Sequence, residues 1–192
     1  MESPKHRDKA IRKQYEQLGV EAYYKQYGAL YENPHFPFVR QLLIQNQERI
    51  NYQKALDFCC GGGEVALVLQ ELGFPDTVGC DPFTQAAFYK NLGRKALSYS
   101  FEEVIRGQLS GSWTSIICSF AMHLCPEKQL YPLVFQLFQC SPQLVILTPH
   151  KRPQLEKLDG VRLELTDFCF TPKGKKVFLK SYRWGVDSSI SS

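Results

Sequence analysis

Residues 57 to 63 read DFCCGGG, and residues 78 to 83 read VGCDPF. Each stretch sets an aspartate at the end of an apolar run, Asp57 and Asp81, and the first adds glycines at 61 and 63. Glycine lets a backbone turn tightly and approach a ligand with no Cβ in the way. A helix that follows such a turn offers unpaired N–H groups at its start. The loop therefore reads as a ligand cradle.

Two ligand chemistries use this arrangement. A dinucleotide lays its pyrophosphate there, and Gly61, Gly63 and Ala66 fit the spacing G-x-G-x-x-[GA]. S-adenosylmethionine lays its zwitterionic amino acid end there and carries a sulfonium. Asp57 separates the two. Its carboxylate repels an approaching diphosphate but attracts an ammonium or sulfonium, directly or through water. Dinucleotide loops also begin their glycines straight after the strand, whereas Cys59 and Cys60 intervene here. Asp81 can accept both ribose hydroxyls of an adenosine, a geometry common to both ligands. Taken alone, a helix N-cap or a solvated turn explains it as well.

The elements that must position these groups follow from periodicity. From residue 53, short apolar runs alternate with helical segments, as in a parallel sheet with crossover helices. KALDFC and DTVGCD read as strands, with the helix GEVALVLQELG between them closed by Gly73. A helix over Thr84 to Leu92, a weak strand at Ala96 to Tyr99 and a short helix from Phe101 follow. WTSIICSF (113–120) and QLVILTP (143–149) read as buried strands around the helix EKQLYPLVFQLFQ, in which Pro132 is out of place. VRLELTDFCF and KKVFLKSYRW form a hairpin turned at Gly174. Before residue 53 the pattern is helical: an amphipathic segment from Lys9 to Leu18, a tyrosine-rich stretch ending at Asn33-Pro34, and a third helix from Pro37 to about Glu48 with Phe38, Leu42 and Leu43 on one face. In an open α/β sheet the ligand lies beyond the carboxyl ends of the strands. That rule brings CCGGGE, DPF, SYSF, SFAMHL and TPHKRP to one face.

Length and composition bound the rest. At 192 residues and 22.1 kDa the chain suits a single domain. Its parts read as a helical cap or lid over 1–35, a Rossmann-like core over 36–184 and a flexible tail over 185–192. With 44% hydrophobic and 22% charged residues it is too apolar for a disordered protein. No apolar run approaches the ~20 residues that span a bilayer, and the charged start, with no apolar h-region, does not read as a signal peptide. The seven cysteines lie mostly inside apolar runs without C-x-x-C or Cys/His spacing. They read as reduced, buried thiols rather than a zinc site or disulfide framework, so a cytoplasmic protein with no metal is expected. A formal charge of +4 neither demands nor forbids an anionic partner.

DFCCGGG resembles the D-x-x-C-G-x-G first motif of class I S-adenosylmethionine-dependent methyltransferases. VGCD resembles their second acidic motif, and ICSFAMHL their fourth-strand segment. The resemblance covers about residues 36 to 184 and implies a seven-stranded Rossmann-like sheet of order 3-2-1-4-5-7-6 with the last strand antiparallel. It implies S-adenosylmethionine as cofactor. Asp57, Cys59, Gly61 and Gly63 would surround its methionyl part and Asp81 its ribose. Pro82 and Phe83 would flank the adenine, and Ser119 with Phe120 would lie beneath the amino acid end. Cys59 departs from the usual glycine, and Ser100 and Phe101 stand where an acidic residue often meets the adenine amino group.

Methyl transfer is an in-line displacement that needs orientation rather than a nucleophilic residue. Protonated acceptors do need a base, and His123 and His150 are the candidates, His123 being nearer to where the methyl projects. Lys151 and Arg152 could hold a carboxylate or phosphate on the acceptor, although solvated loop charge explains them equally. Tyr24 and Tyr27, with Tyr23 and Tyr31, suit an aromatic lid or plain helix packing. No [DN]PP[YFW] segment and no extended basic stripe point to nucleic acid. The chain thus reads as a methyltransferase for a small, in one reading acidic, acceptor, a peptide side chain being an option. It is expected to be a monomer or weak homodimer, free of nucleic acid and membrane. The rivals are a non-catalytic binding module of the same fold and a nicotinamide-dependent oxidoreductase.

Overall fold

The computed structural model describes residues 35–149 and 152–185. The helical cap expected over Lys9 to Leu18 and the tyrosine-rich stretch, with Tyr23, Tyr24, Tyr27 and Tyr31, lie outside the described residues, as do His150, Lys151 and the tail from 186.

The first described helix, α1, spans Phe36–Gln45. It stops short of Glu48 because Asn46 terminates it: its side-chain amide donates to the Leu42 carbonyl and to Asp167 Oδ2, each at 2.9 Å. Then come β1 (Ala55–Phe58), α2 (Glu64–Glu71), β2 (Val78–Cys80), α3 (Gln85–Leu92) and α4 (Phe101–Ile105). β3 (Ser115–Ser119), α5 (Glu127–Cys140) and β4 (Leu144–Thr148) complete the parallel part. α5 runs through Pro132. Its missing N–H leaves one intrahelical bond unmade, which a fourteen-residue helix with four buried side chains tolerates.

The sheet has six strands, not the expected seven, in the order β2-β1-β3-β4-β6-β5. The hairpin β5 (Val161–Phe170) and β6 (Lys176–Trp184) lies where the sequence puts it, and β6 runs antiparallel to both neighbours. The expected strand at Ala96 to Tyr99 contributes only an isolated bridge, Leu97 beside Cys80. Ser100 ends it. This residue caps α4 with its side chain, while Glu103 Oε2 accepts from the Ser100 N–H and hydroxyl, both at 2.8 Å. The chain is drawn into a helix before a ladder can extend.

Strand alternation divides the core. Ile116, Cys118, Leu144 and Ile146 face α4 and α5, and Ile117, Val145 and Leu147 face α1 and α2. The crossover from β4 to β5 holds, among its described residues, only a 3-10 turn at Leu155–Lys157. Beyond it Phe168 and Phe170 stand exposed on the hairpin, with the Lys176 ammonium 3.8 Å from the centre of the Phe168 ring. Among the described residues no helix is long and apolar enough to cross a membrane.

Candidate functional site

The glycine loop is held open by backbone geometry. Cys59, Gly61 and Gly63 all have left-handed φ, at 58°, 54° and 87°. For cysteine this conformation is strained, and such strain gathers at ligand sites. The loop is pinned by Gly63 N–H to Cys60 carbonyl (2.7 Å), by Cys60 N–H to Cys80 carbonyl (3.2 Å), and by the Asn91 amide to the Gly62 carbonyl (2.8 Å). Packing explains the two cysteines. The hydrogen bond to Cys118, then burial, push the Cys59 thiol well above its ordinary pKa, and burial does the same at Cys60. Both shifts disfavour the thiolate, the nucleophilic form, at half-buried Cys59 and at buried Cys60.

Gly63 is the N-cap of α2 and has no side chain to cap it. Asp57 supplies the acceptor from β1: its Oδ2 takes the Ala66 N–H at 3.1 Å, with the residue only 1% exposed. Burial, followed by the nearby Glu64, raises the Asp57 pKa well above the ordinary carboxylate value, against the pull of the Ala66 hydrogen bond; Asp81 adds to the rise. At the end of β2, Asp81 performs two tasks. Its Oδ1 accepts from Phe83 N–H (2.8 Å) and Thr84 N–H (3.1 Å) at the start of α3, and its Oδ2 accepts from Gly61 N–H at 3.4 Å. Burial raises its pKa too, opposed by these backbone donors. The N-cap of α3 is Thr84, so Asp81 braces the turn ahead of the helix with the same side chain that reaches the glycine loop.

Asp81→Ala should therefore lower stability even without ligand. Stranding those donors is worth about 1–3 kcal/mol, or roughly 3 to 10 °C in unfolding temperature. A thermal melt of the unliganded variant reads this, and an unchanged melting temperature would mean that Asp81 does not hold the loop.

At the end of β3, Ser119 is half-buried and its Oγ, shielded from solvent, has no hydrogen-bond partner. Phe120 follows with a left-handed φ of 56°, and its N–H donates to the Leu147 carbonyl at 2.8 Å. His123 lies exposed in the 3-10 turn Met122–Leu124. Pro82 and Phe83 are half-buried just ahead of α3, and the ring of Phe101 packs 6.0 Å from Phe58 at the carboxyl end of β1. Arg152 is exposed beyond β4. Gly61 is hydrogen-bonded to Asp81, Asp57 holds Ala66 on the far side of the same loop, and Ser119 ends the strand beside β1.

Three supporting residues escape a motif search. Asn91 holds Gly62, Glu103 closes the α4 cap, and His35 stacks on Phe120 with centroids 4.7 Å apart and planes 8° from parallel. Glu103 alone carries a local signal, the S-x-x-E spacing from Ser100.

A cationic, zwitterionic ligand fits these groups. Two buried carboxylates repel each other, and no Lys or Arg among the described residues pairs with either. An ionised carboxylate has about four acceptor positions, of which Asp57 uses one and Asp81 three for the bonds above. The Ser119 hydroxyl is buried and unsatisfied, a state that calls for a partner.

No protein-family model matches the chain. An uncharacterized protein of Schizosaccharomyces pombe is 28% identical over 183 residues, covering 72% of this chain and 74% of that protein. Among solved structures, magnesium protoporphyrin IX methyltransferase from Synechocystis with bound SAM superposes with a TM-score of 0.58 at 15% identity, over 91% of this chain and 96% of that one. A putative RNA methyltransferase from Pyrococcus horikoshii gives 0.53 at 14% identity, over 78% and 81%. At such identities the likeness is one of fold.

Proposed function

The chain has the fold of class I S-adenosylmethionine-dependent methyltransferases, and from that premise we propose that it binds S-adenosylmethionine and methylates a small acceptor. The observation that carries the reading is the buried, mutually repelling pair Asp57 and Asp81 around a left-handed glycine loop. A sulfonium and an ammonium relieve that repulsion, whereas a diphosphate adds to it.

When bound, S-adenosylmethionine supplies an electrophilic methyl group on its sulfonium. In this reading Asp57, Cys59, Gly61 and Gly63 line the methionyl part, with Asp57 acting through its charge while it caps α2. Asp81 takes a ribose hydroxyl on the one acceptor position that its three backbone bonds leave free. Pro82 and Phe83 flank the adenine. Ser119 receives the amino acid end on its unsatisfied hydroxyl, with Phe120 beneath. His123 removes a proton from the acceptor, and its exposure at the strand end suits exchange of that proton with solvent. Arg152, with Lys151, takes an acidic group of the acceptor, and Tyr24, Tyr27 and His150 complete the acceptor side. The thiols, free throughout the described residues, suit the reducing cytoplasm, and we place the protein there as a monomer or weak homodimer.

Thermal unfolding of the full chain with S-adenosylmethionine, S-adenosylhomocysteine, NAD and NADP tests the cofactor. Ligand at a hundredfold over its dissociation constant stabilises by about 2.7 kcal/mol, or roughly 5 to 10 °C. A shift with the two sulfur ligands alone is expected. A nicotinamide response would overturn the reading of Asp57, and silence from all four would favour a non-catalytic module. Methyl-tritiated cofactor offered with small acids, peptides and RNA then reads the acceptor class, and label in RNA would remove the small-molecule assignment.

A further inference from the structure

The turn after β3 is strained and is braced from outside the sheet. Phe120 holds a left-handed φ of 56° without being glycine, asparagine or aspartate, the residues that adopt that region most readily. Its neighbour Ser119 carries the buried hydroxyl that has no partner. A strained residue persists where its surroundings over-determine it. One constraint is the Phe120 N–H bond to the Leu147 carbonyl. The other comes from a residue 85 positions earlier in the chain: the His35 ring lies nearly parallel to the Phe120 ring, 4.7 Å away.

His35 is itself fixed. Its carbonyl accepts from the Phe38 and Val39 N–H groups at 3.0 and 3.2 Å, so it is the N-cap of α1. α1 buries Val39, Leu42 and Leu43 in the core cluster against which Phe120 packs. The imidazole is thus carried on a rigid element and laid on the one aromatic ring whose backbone is strained at the site.

We propose that His35 is a positioning residue of the cofactor site, its ring clamping Phe120 so that the left-handed turn presents the Ser119 hydroxyl to the ligand. The inference rests on the cofactor reading above for its consequence, while the clamp itself can be measured without ligand. A flat ring is what the stack needs, so phenylalanine should replace histidine and alanine should not. α1 thereby becomes part of the site rather than a cover on the sheet.

The experiment compares the full-length chain with His35→Ala and His35→Phe by two readouts. Hydrogen exchange of the Phe120 amide in the unliganded proteins is expected to quicken at least tenfold in His35→Ala and to return to within about threefold of the parent in His35→Phe. Titration with S-adenosylhomocysteine is expected to show at least fivefold weaker binding in His35→Ala and recovery in His35→Phe. If His35→Ala does not fold, His35→Leu, apolar but not flat, takes its place with the same expectations. Equal exchange and equal affinity in all variants would overturn the proposal. Equal loss in the alanine and phenylalanine variants would overturn it too, because the imidazole would then act through another contact. No binding by the parent chain refutes the cofactor reading, and exchange at Phe120 still decides the clamp.

Discussion

Gly63→Ala is expected to lower unfolding free energy by about 2–5 kcal/mol, the sum of left-handed strain and overpacking, and to abolish cofactor binding. The residue has a φ of 87°, and a Cβ there would lie 2.4 Å from Leu92 Cδ1 and 2.9 Å from Phe88 Cδ2. The leucine tip can move, but Phe88 is fully buried in a small cluster with Cys60, Ala66 and Ala96, and cannot retreat. Relief by backbone movement would shift the loop away from the geometry that frees it for a ligand. Thermal unfolding should show a fall of roughly 5 to 15 °C for a chain of this size. Gly73→Ala is the control, because Gly73 has a similar φ of 91° with nothing within 4 Å of its Cβ position. Equal losses in the two variants would reduce the role of Gly63 to its backbone conformation.

Asp57→Asn should change how stability depends on pH and should weaken S-adenosylhomocysteine binding about tenfold, the order expected for loss of a charge-assisted contact. In the folded, unliganded chain, burial and then Glu64 raise the carboxyl pKa well above the ordinary value. The folded state therefore holds this proton more tightly than the unfolded one. The stability so contributed is complete below the ordinary carboxylate range and is lost as pH climbs towards the raised value. Parent protein should lose stability as pH rises above that range, and the asparagine variant should lose less. Asp81, shifted the same way, leaves a residual slope. Asparagine keeps an oxygen for the Ala66 N–H, so the α2 cap survives, but its amide NH2 needs a partner, which makes the slope rather than the absolute stability diagnostic. Denaturant melts at several pH values decide it: parallel curves would mean that the Asp57 charge is not strained.

Both results would follow from residues that sequence alone picks out, but for reasons it does not contain. DFCCGGG and VGCD are legible because a strand-end carboxylate and a glycine turn are local features of type and spacing. The alternation of apolar runs and helical segments likewise determines the β/α order and the terminal hairpin, since side-chain periodicity is a property of each element by itself. What the sequence does not determine is whether a weak apolar run pairs. KALSYS lost its strand to the Ser100 and Glu103 cap, leaving six strands and a bridge.

Nor does it determine what each aspartate touches. Asp57 caps a helix beginning seven residues later, Asp81 ties two loops together, and His35 meets Phe120 from 85 positions earlier in the chain. Adjacent thiols that look reactive in a string are, in the fold, one half-buried and one buried, with the thiolate disfavoured at both. Residue identity sets which chemistry is available, whereas desolvation, strain and hydrogen-bond partners depend on atoms brought close by the whole chain. Those terms raise the carboxyl pKa values and hold the left-handed turns, and only the tertiary structure could decide them.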